Sequence, residues 1–440
     1  MNVRIIFLSL FVFSCQFANT KEAQRWDVKN ADGVTIYYVK TADSEVGVAY
    51  KTKLQQGGGD EPDYGAYSGN IVIPKSIIIG DKTYKVTSIE ERAFKNCPSL
   101  KSITIPNTIK YIGAYATEGC KNITSVHISD IVAWCKIEFK SNPLEAAHYL
   151  YLNGKEVTDL VIPENIDQIL NSAFSNCYSL KTVELHDKIT SIGTFAFGHC
   201  RNLTSCNIPN SVKSIGGGAF LDCINLVSMK LPNSVSEIGK MCFYECYNLV
   251  DVVLPENLLS IPESMFCGCT KLSDITIPNS VETIKVGGFF GCENLTSIIV
   301  PDNVKTIEQS VFAYCTGLST VYIGNSVNSI EAQAFRDCIN LKKVYCYSRE
   351  LPTVFLKYTD SNPFLGCSLD QATLYVPDYL VSVYKITEPW SGFNSIIGVS
   401  ASGIVPVGHK SKNVEYYNIY GRKNDNMYKG INIIREKMER

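Results

Sequence analysis

At 440 residues, with a net charge of −2, 19% charged and 45% hydrophobic side chains, the chain has the composition of a folded protein. It has neither the basic excess of a nucleic-acid binder nor a like-charge run of five, and no apolar run reaches the roughly eighteen residues that span a bilayer. Function has to be read from order along the chain.

The first residues read as an export signal over 1–20: Arg4 supplies the positive end, Ile5 to Phe13 the short apolar run, and Ser14 a small residue for cleavage. Val12-Phe13-Ser14-Cys15 also resembles a bacterial lipoprotein box, which would place a lipid on Cys15. Lipidation and ordinary cleavage both stay open. Residues 21–85 show no repeat, contain Gly57-Gly58-Gly59, and end on the strand-like Asn70-Ile71-Val72-Ile73-Pro74; they read as an N-terminal β cap.

From 86 to 345 the chain repeats every 23 residues. Cys97 and Cys120 are one such step apart, and so are successive members of Cys177, Cys200, Cys223, Cys246, Cys269, Cys292, Cys315 and Cys338. Eight residues before each stands isoleucine, Ile169 and Ile192 for example. Three before stands phenylalanine (Thr117 is the exception), and three after stands leucine or isoleucine, as in Leu180 and Ile123. A thiol recurring once per repeat is a core position. Cysteines stacked on parallel strands lack the dihedral of about 90° that a disulfide needs, so the ladder reads as reduced.

After the leucine comes an alternating strand. In Leu100-Lys101-Ser102-Ile103-Thr104-Ile105 the isoleucines face in, and Pro106 ends the strand. The Ile-Gly-x-x-Ala-Phe-x-x-Cys stretch is short enough for one helical or 3-10 turn bringing the chain back. A single coil cannot bury these side chains alone, whereas stacked coils can. The fold class is therefore a β-rich α/β solenoid: a right-handed array of short parallel strands with short helical or 3-10 turns, capped at both ends. An insertion at 129–160 breaks the phase and carries Ala133-Trp134-Cys135, Asn142-Pro143-Leu144 and the tight-turn signal Asn153-Gly154. Past the last repeat, 346–399 reads as a C-terminal cap with Trp390 and Phe393 over the final coil, and 400–440 as a β-structured tail.

The Ile, Phe, Cys and Leu positions resemble the BspA-type leucine-rich repeat, a 23-residue variant found in bacterial surface proteins. The insertion and the flank Leu374-Tyr375-Val376-Pro377 are similar to segments of that family. Tyr417 to Arg422 and Lys429 to Ile433 resemble the sorting segment of type IX secretion cargo, without the long basic strand that would follow. The resemblance implies adhesion to host matrix proteins or to other bacteria.

No nucleophile elbow, His-Glu-x-x-His site or phosphate loop is present, so the chain reads as a binding protein rather than an enzyme and needs no cofactor. Cys135 with His148, and Cys267 with Cys269, are better explained as structural residues. The outward strand position seven after each ladder cysteine carries more information. It is polar early, at Thr104, His127, Glu184, Asn207 and Lys230, then turns apolar and aromatic at Val253, Thr276, Ile299, Tyr322 and Tyr345. Asp251 and Asp274 flank that strip. Exposed apolar patches mark partner sites, and tyrosine is enriched at interfaces. The expected function is that of an exported cell-surface protein binding host or microbial proteins, touching a membrane only through the lipid on Cys15. A structural spacer is the alternative, and a glycan- or peptidoglycan-processing enzyme a distant one.

Overall fold

The computed structural model describes residues 24–54, 60–354 and 360–400, with the antiparallel strand pair Glu415–Tyr417 and Ile433–Arg435. It is a β-solenoid of about 13 turns with little helix. Each coil adds a rung to two parallel stacks. The broad stack comes from the strand after the leucine and places Ile298, Val321, Val344 and Leu374 in register, all buried. The narrow stack is built of two-residue strands whose isoleucines align, as Ile169, Ile192 and Ile215 do.

The interior is one column of rings. Phe174, Phe197, Phe220, Phe243, Phe266, Phe289, Phe312 and Phe335 are fully buried, and neighbouring centroids lie 5.3–5.7 Å apart in nearly parallel planes. Each phenylalanine carbonyl receives the thiol of the cysteine one coil on. Cys200 donates to Phe174 at 3.1 Å, Cys223 to Phe197 at 3.2 Å and Cys338 to Phe312 at 3.1 Å. Cysteine thus fills a small apolar site and adds a weak hydrogen bond that alanine lacks. The described cysteines are free.

The turn between the stacks corrects the sequence expectation of a helical or 3-10 turn. The residues five before and one before each ladder cysteine are left-handed: Ser172 and Asn176, Phe195 and His199, Met241 and Glu245. Alternate N–H groups consequently point in different directions. Ala196, Gly198 and Cys200 bond back within their own coil, to Gly193, Phe195 and Phe197, while Phe195, Phe197 and His199 donate to Gly217, Ala219 and Leu221 of the next. A helix aims every N–H the same way and could not serve both. Left-handed residues other than glycine are unfavourable by roughly 1–2 kcal/mol each; the bonds between coils offset that.

Two irregular segments join the stack rather than interrupt it. In the insertion, Asp130 caps the helix Ile131–Cys135 through the Val132 and Ala133 amides. Glu138–Phe139 then pairs with Tyr111–Ile112, and Leu150–Leu152 with Val126–Ile128. Trp134 Nε1 donates to the Ala173 carbonyl at 2.9 Å, an acceptor that a regular coil reaches with a backbone amide, and the Asn142 amide donates to the Ser172 carbonyl at 2.7 Å. At the other end the 23-residue spacing stops, yet stacking continues. Phe364 lies on Phe335 at 5.4 Å, Cys367 donates to the Phe335 carbonyl at 3.0 Å, and Leu374 and Ile396 add two rungs to the broad stack.

Candidate partner-binding surface

On the later coils the strands of the broad stack alternate. In Thr320–Ile323, Val321 and Ile323 are buried while Thr320 and Tyr322 face outward. Parallel register therefore lines up Ile299, Tyr322, Tyr345, Tyr375 and Ile397 as one column along the solenoid. Tyr322 stacks on Tyr345 with centroids 4.7 Å apart and planes at 10°, and Tyr345 on Tyr375 at 4.4 Å and 9°. Val253 and Thr276 hold the equivalent position on earlier coils. Asp251 and Asp274, exposed two residues before them, pair across adjacent coils in a parallel bridge.

Stacking covers ring faces, so Tyr322 and Tyr345 are only half-exposed, whereas the aliphatic ends of the column are more open: Val253 is 46% and Ile397 42% exposed. Partial desolvation raises the Tyr322 phenol and pushes Tyr345 up to about 12. Both stay protonated at neutral pH and offer hydroxyl donors, not charge. The surface is thus a line of aliphatic and phenolic groups with carboxylates beside one end.

The seven residues singled out from the sequence fall on this column and its flank. Tyr375 and Ile397 extend it and were missed, because 30 residues rather than 23 separate Tyr345 from Tyr375. Leu374-Tyr375-Val376-Pro377, a strand ending on proline like Ile298-Ile299-Val300-Pro301, is the signal that could have found them. Cys15 lies outside the described residues. Cys135 is buried, and that burial pushes its thiol up to about 12. The His148 ring lies flat on Tyr178 at 4.1 Å, and burial lowers its proton affinity. Among the described residues no group of three or more His, Cys, Asp or Glu is placed to hold a metal.

Residues 70–143, 145–273 and 259–382 match the BspA type leucine rich repeat region, in six copies. Among solved structures, the chain is similar to a leucine rich cell surface protein of Faecalibacterium prausnitzii at 24% identity, covering 67% of this chain and 94% of that one, with a TM-score of 0.37. A leucine-rich repeat protein of Bacteroides ovatus is 24% identical over 73% of this chain and 97% of its own, with a TM-score of 0.37. The pneumococcal vaccine antigen PcpA is 19% identical over 85% and 99%, with a TM-score of 0.42. No curated protein matches the chain.

Proposed function

The chain belongs to the BspA-type leucine-rich repeat family, and on that premise we propose that it is an exported cell-surface binding protein whose broad sheet captures host or microbial proteins. In this reading the coils are right-handed, residues 1–20 direct export, with or without a lipid on Cys15, and residues 21–85 and 346–399 cap the array. Tyr67 against Phe94 at 4.7 Å, and Trp390 and Phe393 edge-on to Phe364 at 5.3 and 5.4 Å, support the caps. The tail 400–440 either serves sorting or is retained as a β-structured tail.

One observation carries the binding reading: the outward tyrosine column. The repeat demands phenylalanine in the core of nearly every coil, but nothing in it demands tyrosine outside, where earlier coils carry Glu184 and Lys230. At about 4.8 Å per rung, Ile299 to Ile397 spans about 19 Å, the centre of a modest interface. Truncating a hot-spot tyrosine typically removes about 2 kcal/mol or more of binding. With the mature chain on beads, partner proteins retained from host or microbial extracts should be held at least about thirtyfold more weakly by Tyr322→Ala with Tyr345→Ala. The control Thr104→Ala with Lys230→Ala should bind normally. Unchanged retention by the tyrosine variant would leave the column as β-propensity on display and favour the spacer reading.

A further inference from the structure

One strand crosses the tyrosine column with a second line of side chains at right angles to it. From Lys343 the chain stays extended past Cys346: Tyr347 N–H donates to Ile323 at 3.0 Å and Arg349 N–H to Asn325 at 3.2 Å. Val344, Cys346 and Ser348 are fully buried, so Lys343, Tyr345, Tyr347 and Arg349 share the outward face. Six residues at about 3.3 Å each put the two cations about 20 Å apart. Tyr345 and Tyr347 lie between them with centroids 6.2 Å apart and planes at 41°, and Tyr322 and Tyr375 stand on either side.

Cations on these coils are of two kinds, paired and unpaired, and exposed Lys342 beside the row is held instead by the Gln371 side chain at 3.1 Å. On nearby coils Lys305 pairs with Glu282 at 2.6 Å and Arg336 with Asp337 at 3.1 Å. Among the described residues neither Lys343 nor Arg349 has a carboxylate within ion-pair distance; both are exposed. Two unpaired cations bracketing a phenolic platform complement carboxylates bracketing an apolar stretch.

We propose that this row docks an extended acidic segment of a protein partner, running along residues 343–349. Carboxylates six residues apart sit over Lys343 and Arg349, and an aromatic or aliphatic side chain lies against Tyr345 and Tyr347. The inference rests on the reading of the broad sheet as the partner surface. Direction follows from charge: laid along the solenoid axis instead, an acidic segment would run toward Asp251 and Asp274. Spacing favours peptide over sulfated polysaccharide, since cations about 20 Å apart exceed the Debye length of about 8 Å at physiological salt and act as separate contacts, not a cationic field.

Fluorescence anisotropy on the full mature chain tests this with three labelled ten-residue peptides. One carries aspartates at positions two and eight around an aromatic centre, the second has lysines there, and the third has the aspartates adjacent. The first should bind at least tenfold more tightly than the other two. Lys343→Glu with Arg349→Glu, both surface changes, should reverse the preference toward the lysine peptide, while Lys343→Arg should keep it. Three peptides binding alike, or no saturation by any, would overturn the proposal. So would a heparin fragment binding more tightly than the first peptide. If bead capture depends on Tyr322 and Tyr345 but the peptides ignore the charge reversal, the partner surface stands and this line across it falls. If the reversal acts on the peptides while bead capture ignores the tyrosines, the acidic docking line stands and the broader capture reading falls.

Discussion

Two aromatic columns run the length of the later coils, one inside and one outside, and they obey different rules. The interior phenylalanines are fully buried, recur in nearly every repeat, and stack at 5.3–5.7 Å. The outer tyrosines occupy only the last rungs, stack more closely at 4.4 and 4.7 Å, and remain half-exposed. Both cross the 30-residue step at the C-terminal end, inside through Phe364 on Phe335 and outside through Tyr375 on Tyr345. A residue repeated in every coil answers to the fold. One found on a few rungs of an otherwise variable position is not required by the fold, and that is what supports the proposal that the outer column meets another molecule.

The most severe way to break the interior column is to titrate its thiols. Burial raises Cys200, Cys223, Cys269 and Cys292 well above the ordinary value of 9.0, and Cys177 to about 11. In the unfolded chain these groups ionise near 9, while folded they hold their protons. Stability is therefore complete below about pH 9 and falls as pH rises past it, because the unfolded state loses protons first. Each thiol contributes up to about 1.4 kcal/mol per pH unit, so several together should collapse the fold between about pH 9 and 11. Urea midpoints measured under reductant across that range check it, and a flat profile would mean the thiols are not buried together. Next in size is a single rung. Phe220→Ala should lower unfolding free energy by about 3–5 kcal/mol, against about 1 kcal/mol for Tyr322→Ala, which loses one stacked pair in a half-exposed site. Equal losses would mean the strand faces are inverted.

The interior was legible in the sequence because burial forces repetition: Ile, Phe, Cys and Leu each recur at one offset, and the period alone fixes register. The turn was not legible. Its left-handed positions are filled by Phe195, Met241 and Gln333 as readily as by Gly218 or Gly287, and such residues give no sign of positive φ. The outer column was legible only where the period holds, which is why Tyr345 was found and Tyr375 was not. Asn207 shows the converse error. Grouped in the sequence with the polar outward residues, it bonds the Leu185 amide and carbonyl of the preceding coil, each at 2.8 Å, and is a structural clip. Lys230 on the next coil is therefore the better surface control.

The finest separation of the two columns is a single oxygen. Tyr345→Phe keeps the ring between Tyr322 and Tyr375 and removes only the hydroxyl, which gives the outer column the chemistry of the inner one. If packing along the stack were all that the tyrosines supply, this change would be neutral everywhere, since ring area and ring contacts are conserved. If the phenols meet a partner, stability should still move by no more than about 0.5 kcal/mol, while affinity should fall by about 0.5–1.5 kcal/mol, the net worth of one hydrogen bond. Partial burial raises the Tyr345 phenol to about 12, so the hydroxyl is protonated from neutral pH to about pH 9, where the fold is intact, and the effect of its loss should not vary with pH over that range. Denaturation and partner titration on the same two proteins give both numbers. A loss of affinity without a loss of stability assigns the hydroxyl to binding. Equal stability with equal affinity returns the tyrosines to the rule that governs the phenylalanines beneath them.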